Sequence, residues 1–329
     1  MMALNNETNK EMNMTTLSAP NTQLHFLCEG QGEDVVMIHG LGANLAFWHM
    51  GITKELATHF RVITYDLRGH GRSRMFQSGY TLHSMTDDLD ALLDHLGVTR
   101  AHIVGHSFGA RVALAYTIHR PKRVASLTVA DTQVSCLQPP MRLRDWPYWG
   151  MWKKQLIEQS HDTLPADDEF INYRLLASFN RLSRQFANGG LAGACQGPSL
   201  RNRDMGRKGA ENWERLMNTT SAMRDFDNDS EITIPALRRI AVPTLVMYGE
   251  YSHCLPTCWA LKKLIPDSHV MLVPDAGHFH PAVKPRRFVG TLLAFLQQTA
   301  RMELQHVHTA GRQTERRTRA HFLRRLYNN

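Results

Sequence analysis

Residues 105–109, Gly-His-Ser-Phe-Gly, set a serine between two glycines in G-x-S-x-G spacing. An apolar run ending in Ile103 and Val104 precedes them, and Val112, Ala113, Ala115 and Tyr116 follow at helical spacing, which places Ser107 on a strand-to-helix turn. Glycines two residues to either side suit a turn too tight for Cβ atoms. The serine hydroxyl is then expected to stand clear of the sheet at a helix N-terminus. There the unpaired N–H of Phe108 faces any negative charge that develops beside it. This is the chemistry of a nucleophile, although a glycine-rich structural turn would give the same string on its own.

A serine attacks at neutral pH only with a base beside it. His278 follows Gly277 in the loop Pro274-Asp275-Ala276-Gly277-His278-Phe279-His280-Pro281, at the carboxyl end of a strand expected over 269–273. An imidazole there can take the serine proton and return it to a leaving group. With 18 histidines in the chain, position selects His278; His280, two residues on, would point elsewhere. His39-Gly40-Leu41-Gly42 ends another apolar strand, 34–39. Its glycine turn lets the N–H of Leu41 face the same crevice, and Leu41 with Phe108 would form an oxyanion hole, each donor being worth about two orders of magnitude in rate.

The elements that must position these residues alternate. Strands are expected at 22–29, 34–39, 60–65, 125–130, 244–249 and 269–273, with helices at 81–96, after Ser107, and near 257–265. The helix at 81–96 carries Leu82, Met85, Leu89, Leu92, Leu93 and Leu96 and stops at Gly97. That is a doubly wound α/β pattern with a mostly parallel sheet, whose ligand crevice lies at the carboxyl ends of the strands. Core segments are expected at 21–133 and 241–300, with a helical cap inserted at 134–240 and helices near 147–158, 168–187 and 208–222. Trp146, Tyr148, Trp149 and Trp152 open the insertion. Trp146, Trp149 and Trp152 are candidate substrate-binding residues, and cap core is the equal alternative. Gly189, Gly190, Gly193, Gly197 and Pro198 suggest a mobile loop within it. Asp66 and Arg68, in the compact loop 66–73, read as residues that tie a loop to its neighbour rather than as catalytic charges.

The 329 residues can bury a large core, and 43% hydrophobic residues is ordinary for a globular chain. No apolar run approaches the ~18 residues of a membrane span. Residues 1–20 lack a secretory pattern and are expected to be a disordered lead. Cys28, Cys136, Cys195, Cys254 and Cys258 are odd in number and widely spaced, as in a reducing, cytoplasmic setting. No zinc spacing accompanies Cys254 and Cys258, so they read as packing, and no metal or cofactor is expected. Net charge is +8, of which residues 301–329 supply +5 through seven arginines against Glu303 and Glu315. The rest is no nucleic-acid footprint. In that tail Phe322, Leu323, Leu326 and Tyr327 lie among Arg317, Arg319, Arg324 and Arg325 as a basic amphipathic helix able to touch an anionic membrane, a partner or its own domain. A solvated end is the alternative. The oligomeric state stays open.

In their order and spacing, His39-Gly40-Leu41-Gly42, the 66–73 loop, Gly105-His106-Ser107-Phe108-Gly109 and Ala276-Gly277-His278 resemble the α/β-hydrolase fold family, in its capped serine esterase, lactonase and haloperoxidase-like branch. The resemblance covers about residues 22–300. It implies Ser107 as nucleophile, His278 as base, and Leu41 with Phe108 as oxyanion donors. Family members usually carry the triad acid three residues after a strand-ending glycine, where Gly249-Glu250-Tyr251-Ser252 offers Ser252. A serine holds no charge against an imidazolium, and losing the acid can cost about four orders of magnitude in turnover. Some relatives place the acid after the strand that follows the nucleophile helix, where Asp131 falls, so the resemblance implies Asp131 as the acid, with Glu250 as second choice; the plain alternative for Asp131 is a turn residue capping its own loop. A serine at 107 implies acyl transfer to water, from an ester, thioester or lactone of a mostly apolar acyl group. Acyl transfer to another acceptor, or a non-catalytic member that only binds a small molecule, are the other readings.

Overall fold

The computed structural model describes residues 14–19, 21–159, 164–171 and 203–301. In chain order its elements are β1 (Met14–Ala19), β2 (Thr22–Glu29), β3 (Asp34–Ile38), α1 (Thr53–Leu56), β4 (Arg61–Tyr65), α2 (Leu82–His95), β5 (Ala101–His106), α3 (Phe108–His119), β6 (Val124–Ala130), α4 (Trp149–Gln159), α5 (Arg203–Thr219), α6 (Ala222–Phe226), α7 (Ile234–Leu237), β7 (Thr244–Gly249), α8 (Leu255–Leu264), β8 (Ser268–Val273) and α9 (His280–Val283). Residues 285–301 are helical and form α10.

The strands lie in one sheet in the order β1-β2-β4-β3-β5-β6-β7-β8. From β4 through β8 every pairing is parallel, and β2 runs antiparallel to both β1 and β4. Parallel strands covered on both faces read as apolar runs, and β5, β6 and β7 are buried at every residue. One face packs Leu89, Leu92 and Leu93 of α2, Val112 and Leu114 of α3 and Leu261 of α8. The other packs Trp48, Leu56 of α1, and Phe288, Leu292 and Leu296 of α10. Among the described residues no helix is long and apolar enough to cross a membrane.

One expectation fails at the start of the chain. Part of the supposed disordered lead is the edge strand β1, paired with β2 in the register Met14↔Leu27 to Ala19↔Thr22. An edge strand needs backbone hydrogen bonds more than apolar side chains, and of the described side chains of β1 only Leu17 is driven into the core, at 6% exposure. Residues 1–13 and Pro20 lie outside the described residues.

The insertion between β6 and β7 contains α4 to α7. The expected helix at 168–187 does not begin there: Arg142 and Phe170 form an isolated antiparallel bridge, with turns around it. Residues 172–202, with the glycine loop at 189–198, lie outside the described residues, as do residues 302–329 of the basic tail. Against the core, Leu216 of α5 meets the side of Gly69, and Trp213 sits 3.9 Å from where a Cβ on Gly42 would stand.

Helix α3 is pressed onto the sheet without spacers. A Cβ on Gly105 would overlap the carbonyl oxygen of Gly109, and one on Gly109 would overlap the carbonyl oxygen of Ile38. The G-x-S-x-G spacing therefore records how closely the helix approaches β3 and β5 behind the serine. Gly109→Ala is expected to cost about 1–3 kcal/mol through overpacking against rigid backbone. In Gly290→Ala the new methyl would meet nothing within 4 Å; on α10 it should stabilise by up to about 1 kcal/mol. Urea denaturation of the two variants should move the midpoint in opposite directions.

Candidate active site

The sheet ends bring three loops together. Ser107 leaves β5 with φ 56° and ψ −123°, a left-handed backbone rare for a residue with a side chain. Its N–H donates to the carbonyl of Ala130 at 2.9 Å, which ties the turn to the end of β6. Asp131 follows directly and is also left-handed, at φ 49°. Its N–H donates to Met247 O at 3.0 Å, fastening it to β7. Beyond β8, His278 lies on the loop that faces both.

The geometry is a connected line. Nε2 of His278 lies 3.0 Å from Oγ of Ser107, and Nδ1 lies 2.8 Å from Oδ1 of Asp131. A carboxylate only accepts, so Nδ1 carries the hydrogen, and Nε2 is left with a lone pair for the serine proton. Asp131 is 0% exposed and Ser107 8%. Burial alone would raise the Asp131 pKa. Against that stand the hydrogen bonds from His278 and Ser252 and, where those rings are protonated, the charges of His278 and His280, and the carboxyl is held at about 2. Asp131 is therefore ionised at neutral pH.

Neither alternative residue bonds to Ser107 or His278 in this line, although His280 Nε2 comes to 4.0 Å from Asp131 Oδ2. Glu250 accepts the Asp275 N–H at 3.1 Å, on the partly exposed far side of its loop, and makes no hydrogen bond to His278. His280 points under the sheet end, where its Nε2 donates to Met247 O at 3.1 Å. Ser252, at the position where the acid was looked for, donates to Asp131 Oδ1 at 2.5 Å. Positions 131 and 252 thus converge on a single carboxylate oxygen.

The turn carrying Leu41 abuts the serine, since a Cβ on Gly40 would lie 2.9 Å from Ser107 Cβ. Phe108 contributes the first N–H of α3. His39 fixes the turn: its Nδ1–H donates to Gly40 O at 2.8 Å, and its Nε2 accepts the Leu67 N–H at 3.1 Å. Asp66 accepts from Leu45 N at 2.8 Å, Arg72 N at 2.9 Å and His25 Nδ1 at 3.0 Å, while Arg68 grips Asp88 through two bonds of 2.6 and 2.7 Å. These charges tie the loop, as their setting suggested.

The tryptophans divide. Trp146 packs edge-on to His253 at 6.3 Å, and His253 lies 5.3 Å from His278. Trp149 instead donates to Asp167 Oδ1 at 2.7 Å, and Trp152 packs on Trp146 at 5.7 Å, both within the insertion's own cluster with Leu143 and Ile171. Sequence reasoning missed His106, whose Nε2–H donates to His278 O at 2.9 Å while its ring stacks on Phe47 at 4.9 Å. It missed His253 as well. The signal for His106 was its place beside the serine; for His253 nothing local distinguishes it.

His253, Cys254 and His278 bring ligand atoms within 4.8 Å of one another. His278 already spends both nitrogens on Ser107 and Asp131, and burial pushes the Cys254 thiol well above its usual range. The cluster suits packing better than a metal.

Several imidazoles around the line are held neutral. Burial, with the nearby His278, pushes His253 down to about 3; burial, with His39, does the same to His70; burial holds His280 at about 4 against the pull of Asp131. Burial lowers His39 and His106 too. A histidine that ionises near 6.5 when unfolded but resists when folded costs stability as pH falls below 6.5, because only the unfolded state takes up the proton. Asp131 acts in the same direction only between about 3.8 and about 2. Stability by urea titration should therefore decline from pH 6.5 toward 4, before Asp131 contributes. His253→Gln should flatten that slope by about 1.4 kcal/mol per pH unit at most.

Residues 35–285 match the family model described as alpha/beta hydrolase fold. Among curated proteins, the chain is 39% identical over 111 residues to one provisionally named carbamate hydrolase RutD from Variovorax paradoxus, covering 33% of this chain and 42% of that protein. It is 26% identical over 279 residues to the pimeloyl-[acyl-carrier protein] methyl ester esterase of Vibrio vulnificus, covering 84% and 98% respectively. Among solved structures, the enol-lactonase of Burkholderia xenovorans superposes with a TM-score of 0.60 at 22% identity, over 86% of this chain and all of that one.

Proposed function

Because the chain belongs to the alpha/beta hydrolase fold family, we propose that it is a serine hydrolase that cleaves an ester, thioester or lactone of a mostly apolar acyl group through an acyl-enzyme. The observation that carries this reading is the line Ser107–His278–Asp131, with links of 3.0 and 2.8 Å.

In the first half-reaction Ser107 Oγ bonds to the acyl carbon while its proton passes to His278 Nε2. The carbonyl electron pair moves onto oxygen, where the N–H groups of Leu41 and Phe108 receive it. The pair returns, the bond to the leaving alcohol or thiol breaks, and His278 gives that group its proton. In the second half-reaction, water loses a proton to His278, attacks the acyl-serine, and the acid leaves as Ser107 regains its proton. Throughout, Asp131 stays ionised and opposes the imidazolium charge. A lactone differs only in that its leaving alcohol remains tethered to the acyl group.

Two relatives support this class, since one is named for a methyl ester and the other for a carbamate, both acyl groups bonded to a heteroatom. Trp146 beside His253, with Trp213 over Gly42, supports an apolar acyl pocket under the insertion. The partner is then a small acyl substrate, with neither cofactor nor nucleic acid involved. Free thiols at Cys28, Cys136, Cys254 and Cys258 support a reducing, cytoplasmic setting. The serine at 252 taken alone favours a non-catalytic binder; the contact of buried Asp131 with His278 supports the enzyme reading instead.

Turnover of p-nitrophenyl esters and acyl thioesters of graded chain length tests the proposal. Ser107→Ala and His278→Ala should each lower kcat by about 10⁴-fold or more, and Asp131→Asn by about 10⁴-fold. Glu250→Gln should stay near wild type. Turnover that survives Asp131→Asn and dies in Glu250→Gln would reverse the assignment of the acid.

A further inference from the structure

We propose that Ser252 is a positioning residue for the acid, holding the Asp131 carboxylate in line with His278 and moderating its pull on the imidazole. The inference rests on the serine-hydrolase reading above.

The hydroxyl of Ser252 is oriented without ambiguity. Its oxygen accepts the Cys254 N–H at 3.0 Å, and its proton is left for Asp131 Oδ1 at 2.5 Å, because an ionised carboxylate can only accept. Ser252 is 3% exposed. Ser252 and His278 share Oδ1 and the Gly249 N–H takes Oδ2 at 2.8 Å, while the Cys254 thiol also meets the carboxylate and His280 Nε2 stands 4.0 Å from Oδ2. Of the N–H and O–H donors bonded to it, the serine is the one that is neither backbone nor the base itself. Without it, the carboxylate keeps one N–H donor on each oxygen and gains freedom to turn away from Nδ1.

The loop that delivers this hydroxyl is fastened to both partners. Ser252 N–H donates to Gly249 O at 3.0 Å, closing the turn after β7. Tyr251 N–H donates to Ala276 O at 2.9 Å, two residues before His278, and the ring of His253 packs 5.3 Å from that of His278. One short segment, 249–254, therefore sets the acid through Ser252 and braces the base through Tyr251 and His253. A serine that merely filled space would need neither the 2.5 Å contact nor the fixed proton.

The consequences separate positioning from packing. A hydrogen bond to a charged group contributes enough that its loss costs about tenfold in a rate that depends on it. Removing the donor also leaves more charge on Asp131 facing the imidazole, which should move the acid limb of the pH profile to higher pH.

The test is the pH profile of kcat and kcat/KM on a p-nitrophenyl ester for wild type, Ser252→Ala, Ser252→Thr and Asp131→Asn, with melting temperatures alongside. Ser252→Ala should lower kcat about tenfold with KM unchanged and move the acid limb of kcat/KM to higher pH; Ser252→Thr, which keeps the hydroxyl, should restore both. Proton NMR of the resting protein should show the downfield His278 Nδ1–H resonance displaced in Ser252→Ala and returned in Ser252→Thr. Wild-type kcat with an unmoved limb in Ser252→Ala, or equal impairment in Ser252→Thr where that variant is folded, overturns the assignment. If Ser252→Ala does not fold, Ser252→Cys keeps the volume with a weaker donor, and a wild-type profile there is equally fatal. Absence of ester turnover in the wild type sinks the hydrolase reading instead, and turnover that survives in Asp131→Asn removes Asp131 as the acid; in either case the Nδ1–H resonance then decides the role of Ser252 alone.

Discussion

A buried carboxylate is the constraint on which the site depends. Asp131 is fully enclosed yet ionised, and a charge removed from water persists only where hydrogen bonds replace its hydration. Three elements meet that demand at once: the end of β7 through Gly249, the following turn through Ser252, and the loop after β8 through His278. Satisfying the charge and aligning the imidazole with Ser107 are one requirement. The parallel sheet makes it possible, because β5, β6 and β7 are neighbours whose carboxyl ends open to the same side.

Strain is concentrated at the same place. Ser107 and Asp131, on adjacent strands, both occupy left-handed backbone that a side chain disfavours. The cost is sustained by hydrogen bonds from each residue to the next strand, Ser107 N–H to Ala130 O and Asp131 N–H to Met247 O. Around them His39, His106 and His253 are kept neutral by burial, and His39 and His106 act as rigid hydrogen-bonding struts, one for the turn at Gly40 and one for the loop at His278. Neutral imidazoles can do this without adding charge beside an imidazolium.

Much of this was legible in the residues. Ser107 and His278 were readable because glycine punctuation and strand ends are local signals, and local signals survive without coordinates. The strands at 22–29 and 244–249 were recovered residue for residue; in the second, a nearly continuous apolar run in a buried sheet leaves few other readings. Asp131 required an argument from absence at Ser252, and its contact with His278 spans 147 residues of sequence. Pairings of that reach have no local trace. β1 was missed for the opposite reason: its stability comes from backbone pairing along an edge, to which side-chain patterning is nearly blind. The tryptophans were legible as a cluster, but which ring faces His253 and which bonds Asp167 depends on tertiary packing.

In the proposed reaction the Ser107 hydroxyl becomes an acyl ester during turnover. Rapid quench of the protein with p-nitrophenyl acetate, followed by peptide mapping and mass spectrometry, tests it directly. One acetyl group is expected on the peptide carrying Ser107, formed in a burst that disappears in Ser107→Ala. Turnover of the ester with no acyl group on Ser107 under any quench condition, or with the group on another residue, would contradict it.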